Sequence, residues 1–348
     1  MKRVTFFRTK KKMFINRSNR KKLYISLCVI GLVLILFLMR DYINYDCDAA
    51  IIIDKSFADI PPEMLNENTI FFLETSNSSD HKISSREACA IESAAYMNPN
   101  TNIVVLFLTL SNHIRLKNWS QFQPILDYDN IHLRYFHMDD IIKDTPIEKW
   151  MQKGLLSRSY YPVVHTSDIL RYTLLYKYSG IYLDLDVIVT RPLDEMGSSS
   201  FACHQDDKIV NNAIIKLGGS DGKEVGRLLL EEVTENFNGR LWEENGPLLI
   251  TKSLNKFCKT ENLSGIDKCK EFDILSMDKC YAVKWQSWHK LFYEVYADET
   301  MEAVKHSYFV HLWNAKSKGT KLETTSRASF NQLAAKHCPR VHQHNSII

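Results

Sequence analysis

The sequence predicts an α/β protein with a mainly parallel sheet whose ligand crevice lies at the carboxyl ends of its strands, preceded by one transmembrane helix. Three observations predict it. Strand-like apolar runs alternate with helical ones from Ile70 onward, two aspartates interrupt one of the most apolar runs, and an uncharged segment follows a basic N-terminal tail.

The N-terminal elements set the topology. Residues 1–22 carry ten Lys or Arg and no acid, and residues 23–39 are 17 positions without a charge. As a helix that segment is about 25 Å long, at the short limit for a span and suited to a thin membrane of the early secretory pathway. The basic end is expected in the cytoplasm and the remainder in the lumen. Met39-Arg40-Asp41-Tyr42 has no small-residue cleavage site, so an uncleaved anchor is expected rather than a signal peptide. Residues 40–68 are polar, include Pro61-Pro62 and read as a stem; residues 69–348 read as one large lumenal domain.

Charge and cysteine usage agree with that compartment. The chain is +3 overall, with 44 basic and 41 acidic residues, but residues 1–40 hold eleven basic groups and no acid. The rest is therefore 33 basic against 41 acidic, or −8, which excludes a basic nucleic-acid surface. Cys47, Cys89, Cys203, Cys258, Cys269, Cys280 and Cys338 follow the apolar segment without any CxxC pair, which favours disulfides over zinc. Cys258 and Cys269, near in sequence, are the first expected pair, and the odd count leaves at least one free thiol or an intermolecular link. Asn77, Asn118 and Asn262 begin glycosylation sequons.

Within the lumenal part, strands are expected at residues 70–73, 103–108 and 131–136, with a helix at 88–97 and a loop through Asn118-Trp119. Ile169, Leu170, Tyr172, Leu174 and Leu175 form a buried helix, which Ser167 and Asp168 can cap and Gly180 ends. Residues 181–183 and 187–189 then read as a buried strand interrupted by Asp184 and Asp186. Beyond it come a strand at 209–217, a helix at 223–237, a strand at 308–313 and a terminal helix at 326–337.

Two ionised carboxylates buried a few ångströms apart lose hydration and repel, which costs several kcal/mol unless something compensates. A divalent cation does so. Hard cations such as Mn²⁺ and Mg²⁺ take oxygen ligands and share them with substrate phosphates, so the pair reads as a metal clamp for a nucleotide diphosphate.

A collinear series of motifs extends that reading. It comprises FFLETS from Phe71, Cys89 with IESAA, DTP from Asp144, SDILRYTLLYKYSGIYLDLDVIV, NGRLW with GPLLIT, KWQSW from Lys284, and HLWNAKSKGT with TSRA. In these motifs the chain resembles the α1,4-galactosyltransferase and α1,4-N-acetylglucosaminyltransferase family of animal Golgi enzymes, over residues 71 to about 342. The resemblance implies a glycosyltransferase-A-type fold in a single-pass type II Golgi membrane protein. It implies transfer of galactose or GalNAc, with retention, from a UDP-sugar to a glycosphingolipid such as lactosylceramide. UDP-GlcNAc or UDP-GalNAc transfer to another glycan fits the same residues. The partners implied are UDP-galactose or UDP-GalNAc, the glycolipid acceptor and the bilayer, with self-association compatible.

Roles follow residue by residue. Asp186 is the leading metal ligand, Asp184 contacts the metal or the donor ribose, and His311 is either a third ligand or a satisfied core histidine. Asp168 and Arg171, three apart on one helix face, grip the donor sugar or form a structural pair. Asn211 matches a family asparagine near the donor, whereas Asn212 replaces the family's usual glycine. Lys316 and Lys318 can meet the diphosphate. Trp242, Gly246 and Pro247 belong to the acceptor side, while Trp285 and Trp288 read as core. Glu243 and Glu244 read as surface charges, so no protein nucleophile is assigned and same-face attack is the plainer mechanism. Two rivals stand beside this: a haloacid-dehalogenase-like phosphohydrolase, with Asp206-Asp207 imitating a later motif, and an inactive lumenal scaffold.

Overall fold

The computed structural model describes residues 51–76, 80–117, 119–197 and 199–348, and Ala50–Ile348 forms one compact unit. The basic tail, the expected anchor at 23–39, Cys47 and the sequon asparagines Asn77 and Asn118 lie outside the described residues. Among the described residues no helix is long and apolar enough to cross a membrane.

In chain order the strands are β1 (Ile51–Ile53), β2 (Ile70–Glu74), β3 (Asp80–Lys82), β4 (Ile103–Leu108), β5 (Ile114–Lys117), β6 (Ile131–Phe136), β7 (Gly180–Leu183), β8 (Val187–Val189), β9 (Ser200–His204), β10 (Val210–Leu217), β11 (Lys268–Cys269), β12 (Phe272–Leu275) and β13 (Phe309–His311). The helices used below are α1 (Ser85–Met97), α2 (Pro162–Tyr178), α3 (Gly219–Asn236), α4 (Pro247–Cys258), α5 (Asn314–Ser317), α6 (Ser329–His337) and α7 (Pro339–His344).

The central sheet has eight strands in the order β11-β12-β9-β10-β7-β2-β4-β6. β7, β2, β4 and β6 run parallel, and so do β12 and β9. β10, however, is antiparallel to both neighbours, and β11 to β12, so the sheet is mixed rather than mainly parallel. The reason is local: Gln205 N donates to Ile209 O at 2.8 Å, closing a tight turn that returns β10 beside β9. Tight turns can join antiparallel strands only.

β4 is buried at every residue, as its continuous apolar run requires. Phe72, Val105 and Ile91 pack on one face of the sheet, and Phe71, Val104, Tyr172, Leu229 and Ile250 on the other. Each such large side chain contributes about 1.5–3 kcal/mol on burial. α2 starts at Pro162, so Ser167 and Asp168 are interior helix residues and not its caps. Its exit is fixed by Gly180 at φ +115°, where a Cβ would fall 2.7 Å from the Phe71 ring and 2.8 Å from Thr69 O.

The folded unit reaches further toward the N terminus than the polar stem suggested. β1 pairs antiparallel with β5, and Ile53, Phe57 and Ile60 are buried, with the Phe57 ring edge-on to Tyr178 at 5.1 Å. Short 3₁₀ turns around Phe57 and Pro62 carry no period that a pattern could show.

Among the described residues three disulfides form: Cys258–Cys269 as expected, Cys203–Cys280, and Cys89–Cys338. The last ties α1 to the start of α7, where the buried Glu92 carboxylate accepts from Arg340 N at 2.9 Å and Val341 N at 2.8 Å. It spans 249 residues. A loop of that length predicts that the double variant Cys89→Ser/Cys338→Ser loses roughly 3–5 kcal/mol of unfolding free energy in urea. A loss below about 1 kcal/mol would contradict this.

Candidate active site

The two aspartates occupy a turn between strands of different sheets. β7 ends at Leu183, Val187 N donates to Asp184 O at 3.0 Å, and the chain leaves the central sheet as β8, whose partner is β13. The antiparallel register sets His311 opposite Val187, immediately beside Asp186. A residue 125 positions away in sequence thereby reaches the clamp, with His311 Nε2 3.0 Å from Asp186 Oδ1. The second carboxylate oxygen accepts from Asn314 N at 2.7 Å, and the Asp186 carbonyl accepts from Leu312 N at 2.9 Å.

Both Asp186 and His311 are buried. Burial alone would raise the carboxyl and lower the imidazole. Their mutual attraction and hydrogen bond overcome it, holding Asp186 below the usual carboxylate range and His311 above the usual imidazole range.

Asp184 belongs to a second network, organised by Arg171 from the middle of α2. Arg171 Nη1 lies 3.0 Å from Asp184 Oδ1 and donates to Asn212 O at 2.9 Å, while Nη2 lies 3.3 Å from Asp168 Oδ1 and donates to Ser167 Oγ at 2.8 Å. The guanidinium stacks 4.4 Å from the Tyr182 ring centre, and Tyr182 Oη donates to Asp184 at 2.6 Å. Burial pushes Asp168 up, with Arg171 and Asn212 opposing.

Asn212, where the family's usual glycine was expected, now has an account: its Nδ2 donates to Asp168 Oδ1 at 2.8 Å. Asn211 is turned to its own strand and the preceding turn, accepting from Ala213 N at 2.8 Å and donating to Gln205. Asn212, not Asn211, therefore joins the network around the clamp. Its amide also lies against Gly246, where an added Cβ would come within 3.1 Å of Oδ1. Tyr172 Oη donates to Gly246 O at 3.1 Å, so Gly246-Pro247 at the start of α4 sits directly beside the Asp168 network.

The expected acceptor aromatic Trp242 is 45% exposed on the loop before α4. Lys316 and Lys318 are exposed on the short turn after His311, Lys316 lying 5.9 Å from the Trp285 ring. Trp288 packs against the core as expected, but Trp285 is 41% exposed and belongs to the surface. Glu244 is paired with Lys252 at 2.7 Å, in keeping with a surface role.

The donor set fits a divalent cation. One ligand atom each from Asp184, Asp186 and His311 lie within 4.8 Å of one another. Two carboxylates with an imidazole suit Mn²⁺ or Mg²⁺ better than a soft metal. His311 Nδ1 and Tyr281 Oη are buried without a hydrogen-bond partner among the described residues, and the two rings are 5.7 Å apart. Tyr281 therefore packs edge-on against the clamp histidine. Sequence reading missed Tyr281, whose position after Cys280 carries no signal of its own.

Comparison with known proteins agrees with this geometry. Residues 84–202 match the model of a glycosyltransferase sugar-binding region containing the DXD motif, and residues 219–345 match an α1,4-glycosyltransferase conserved region. Lactosylceramide 4-alpha-galactosyltransferase of Mus musculus is 31% identical over 283 residues, covering 81% of this chain and 77% of the relative. The chain belongs to the α1,4-glycosyltransferase family. Alpha-1,4-N-acetylglucosaminyltransferase of Homo sapiens is 28% identical over 93% of this chain and 94% of its own length. Among solved structures, the galactosyltransferase LgtC with donor and acceptor sugar analogues aligns at TM-score 0.40 and 12% identity, over 79% of this chain and 95% of that one.

For this α1,4-glycosyltransferase the phosphohydrolase alternative loses its second motif. Asp206 Oδ1 accepts from Lys208 N at 2.9 Å and Ile209 N at 3.0 Å, so its carboxylate shapes the β9–β10 turn.

Proposed function

We propose that the protein is a retaining, metal-dependent α1,4-glycosyltransferase that moves galactose or GalNAc from a UDP-sugar to a glycosphingolipid such as lactosylceramide. The observation that carries the reading is the convergence of Asp184, Asp186 and His311 next to the Asp168–Arg171–Asn212 network. Similarity to the mouse lactosylceramide 4-alpha-galactosyltransferase supports galactose as the sugar and lactosylceramide as the acceptor. The near full-length match to the N-acetylglucosaminyltransferase favours UDP-GlcNAc as the second donor to test. We place the enzyme in the Golgi membrane, type II, with residues 1–22 cytoplasmic, 23–39 as anchor and the catalytic domain lumenal.

Asp184, Asp186 and His311 would hold Mn²⁺ or Mg²⁺, which supplies positive charge to the diphosphate as UDP leaves. The chain's own groups do the positioning. Asn314 N and His311 fix the orientation of Asp186, and Arg171 fixes Asp184 while presenting Asp168 toward the same side. The acceptor enters beside Gly246-Pro247, with Trp242 as the exposed aromatic platform. Attack on the donor's sugar face from which UDP departs needs no protein nucleophile, and orientation of this kind supplies much of the acceleration.

The test is incubation of the full chain with Mn²⁺ and each of UDP-galactose, UDP-GalNAc and UDP-GlcNAc against a glycolipid panel. Transfer in α linkage to the 4-hydroxyl of a terminal galactose is expected. Absence of transfer from every donor would refute the reading.

A further inference from the structure

One buried cation near the clamp has no role in the network described so far. Arg86, in the first turn of α1, is 6% exposed. Among the described residues no carboxylate lies within ion-pair distance of it; Nη1 donates to Ser317 O at 2.9 Å, and Ser317 Oγ lies at 3.4 Å. Its guanidinium rests 4.5 Å from the Phe292 ring centre and 5.5 Å from that of Phe330. Nε and Nη2 have no hydrogen-bond partner among the described residues, yet they are not among the sealed, unsatisfied atoms. They therefore open into space.

The guanidinium itself is tied to the clamp through the α5 turn. Ser317 closes the turn of α5, whose first backbone N–H, that of Asn314, is bound to Asp186. Ser317 Oγ donates to Leu312 O at 2.6 Å, so Arg86 grips the same turn that holds the clamp. Asp186 is also the carboxylate whose field reaches Arg86, offsetting part of the burial that lowers the guanidinium to about 10. A buried charge without a counter-ion is costly, and here the counter-ion is missing next to a cation site that shares its ligands with an anion.

We propose that Arg86 is a donor-binding residue that pairs with the diphosphate of the nucleotide sugar, through the Nε and Nη2 edge left open beside the α5 turn. The inference rests on the UDP-sugar reading above. The diphosphate is the only anionic part of such a donor, and a planar guanidinium fork matches its oxygens in two hydrogen bonds. Lys316 and Lys318, the cations expected from the sequence, are exposed, so Arg86 is the desolvated and therefore the stronger contact.

The experiment is titration of the full chain with UDP by calorimetry, and with uridine by ligand-observed NMR, in the presence of Mn²⁺. Arg86→Gln is expected to weaken UDP at least about tenfold, or 1.4 kcal/mol, and to leave uridine unchanged. Arg86→Lys, which keeps the charge and the stem, is expected to fall between. Equal UDP affinity, or equal loss for UDP and uridine, would overturn the assignment, the latter showing that Arg86 only shapes the pocket. If Arg86→Gln does not fold, the same comparison on Arg86→Lys decides. Wild-type protein that binds uridine but not UDP would instead defeat the donor reading itself.

Discussion

Asp186→Ala is expected to lower kcat/KM for sugar transfer by at least about three orders of magnitude, or roughly 4 kcal/mol of transition-state stabilisation. The side chain ties the β13 histidine to the α5 turn. It meets His311 on one oxygen and Asn314 N on the other, so its removal deletes a metal ligand and frees the α5 turn together. Asp186→Asn separates those effects, because an amide oxygen can still accept from Asn314 N while its charge is gone. We expect the asparagine variant to unfold in urea within about 1 kcal/mol of wild type and yet to be nearly as inactive as the alanine variant. Turnover near wild type in either variant would refute the assignment of Asp186 as a ligand.

Arg171→Met is expected to be the most destabilising single substitution in the site. Arg171 is the cation shared by Asp168 and Asp184, and Asp168 is 4% exposed with no other charged partner among the described residues. Breaking a buried pair by removing one partner typically costs about 3–5 kcal/mol, since the remaining charge has neither water nor a counter-ion. Unfolding in urea should show that loss, and activity should fall with it because Asp184 loses its orientation. Adding Asp168→Asn to Arg171→Met should recover at least about 1 kcal/mol, the signature of coupled neighbours. Simple additivity, or a single-variant loss under about 1 kcal/mol, would show that the pair is not the organiser of this network.

Much of the frame is legible in the amino-acid order, for identifiable reasons. The run at Ile103–Leu108 is buried on both faces of the sheet, so every position is apolar and the strand declares itself. Asp184 and Asp186 stand out because charges inside an otherwise apolar stretch require compensation. His311 became recognisable only through the resemblance; nothing in its own surroundings tells that β13 will lie against β8. What stayed hidden is of three kinds. β1 is a three-residue edge strand, too short to show alternation, so the expected stem concealed part of the fold. Asp168 looks like a cap because such residues favour helix starts, yet the helix began earlier at Pro162, and the carboxylate is interior because Arg171 and Asn212 satisfy it. Arg86 and Tyr281 have no local signature at all, since an arginine in a first helical turn and a tyrosine after a cysteine are ordinary surface and core residues in most sequences. Their significance lies in where the fold places them, Tyr281 against His311 and Arg86 against the α5 turn.

The account's central claim is that Asp184, Asp186 and His311 make one metal site for the donor diphosphate. The most direct measurement is calorimetric titration of the full chain with UDP, with and without Mn²⁺, for wild type and Asp186→Asn. The account predicts that Mn²⁺ strengthens UDP binding to the wild type at least about tenfold and has no such effect on Asp186→Asn. Equal UDP affinity with and without Mn²⁺ in the wild type, or an undiminished Mn²⁺ effect in Asp186→Asn, would contradict it.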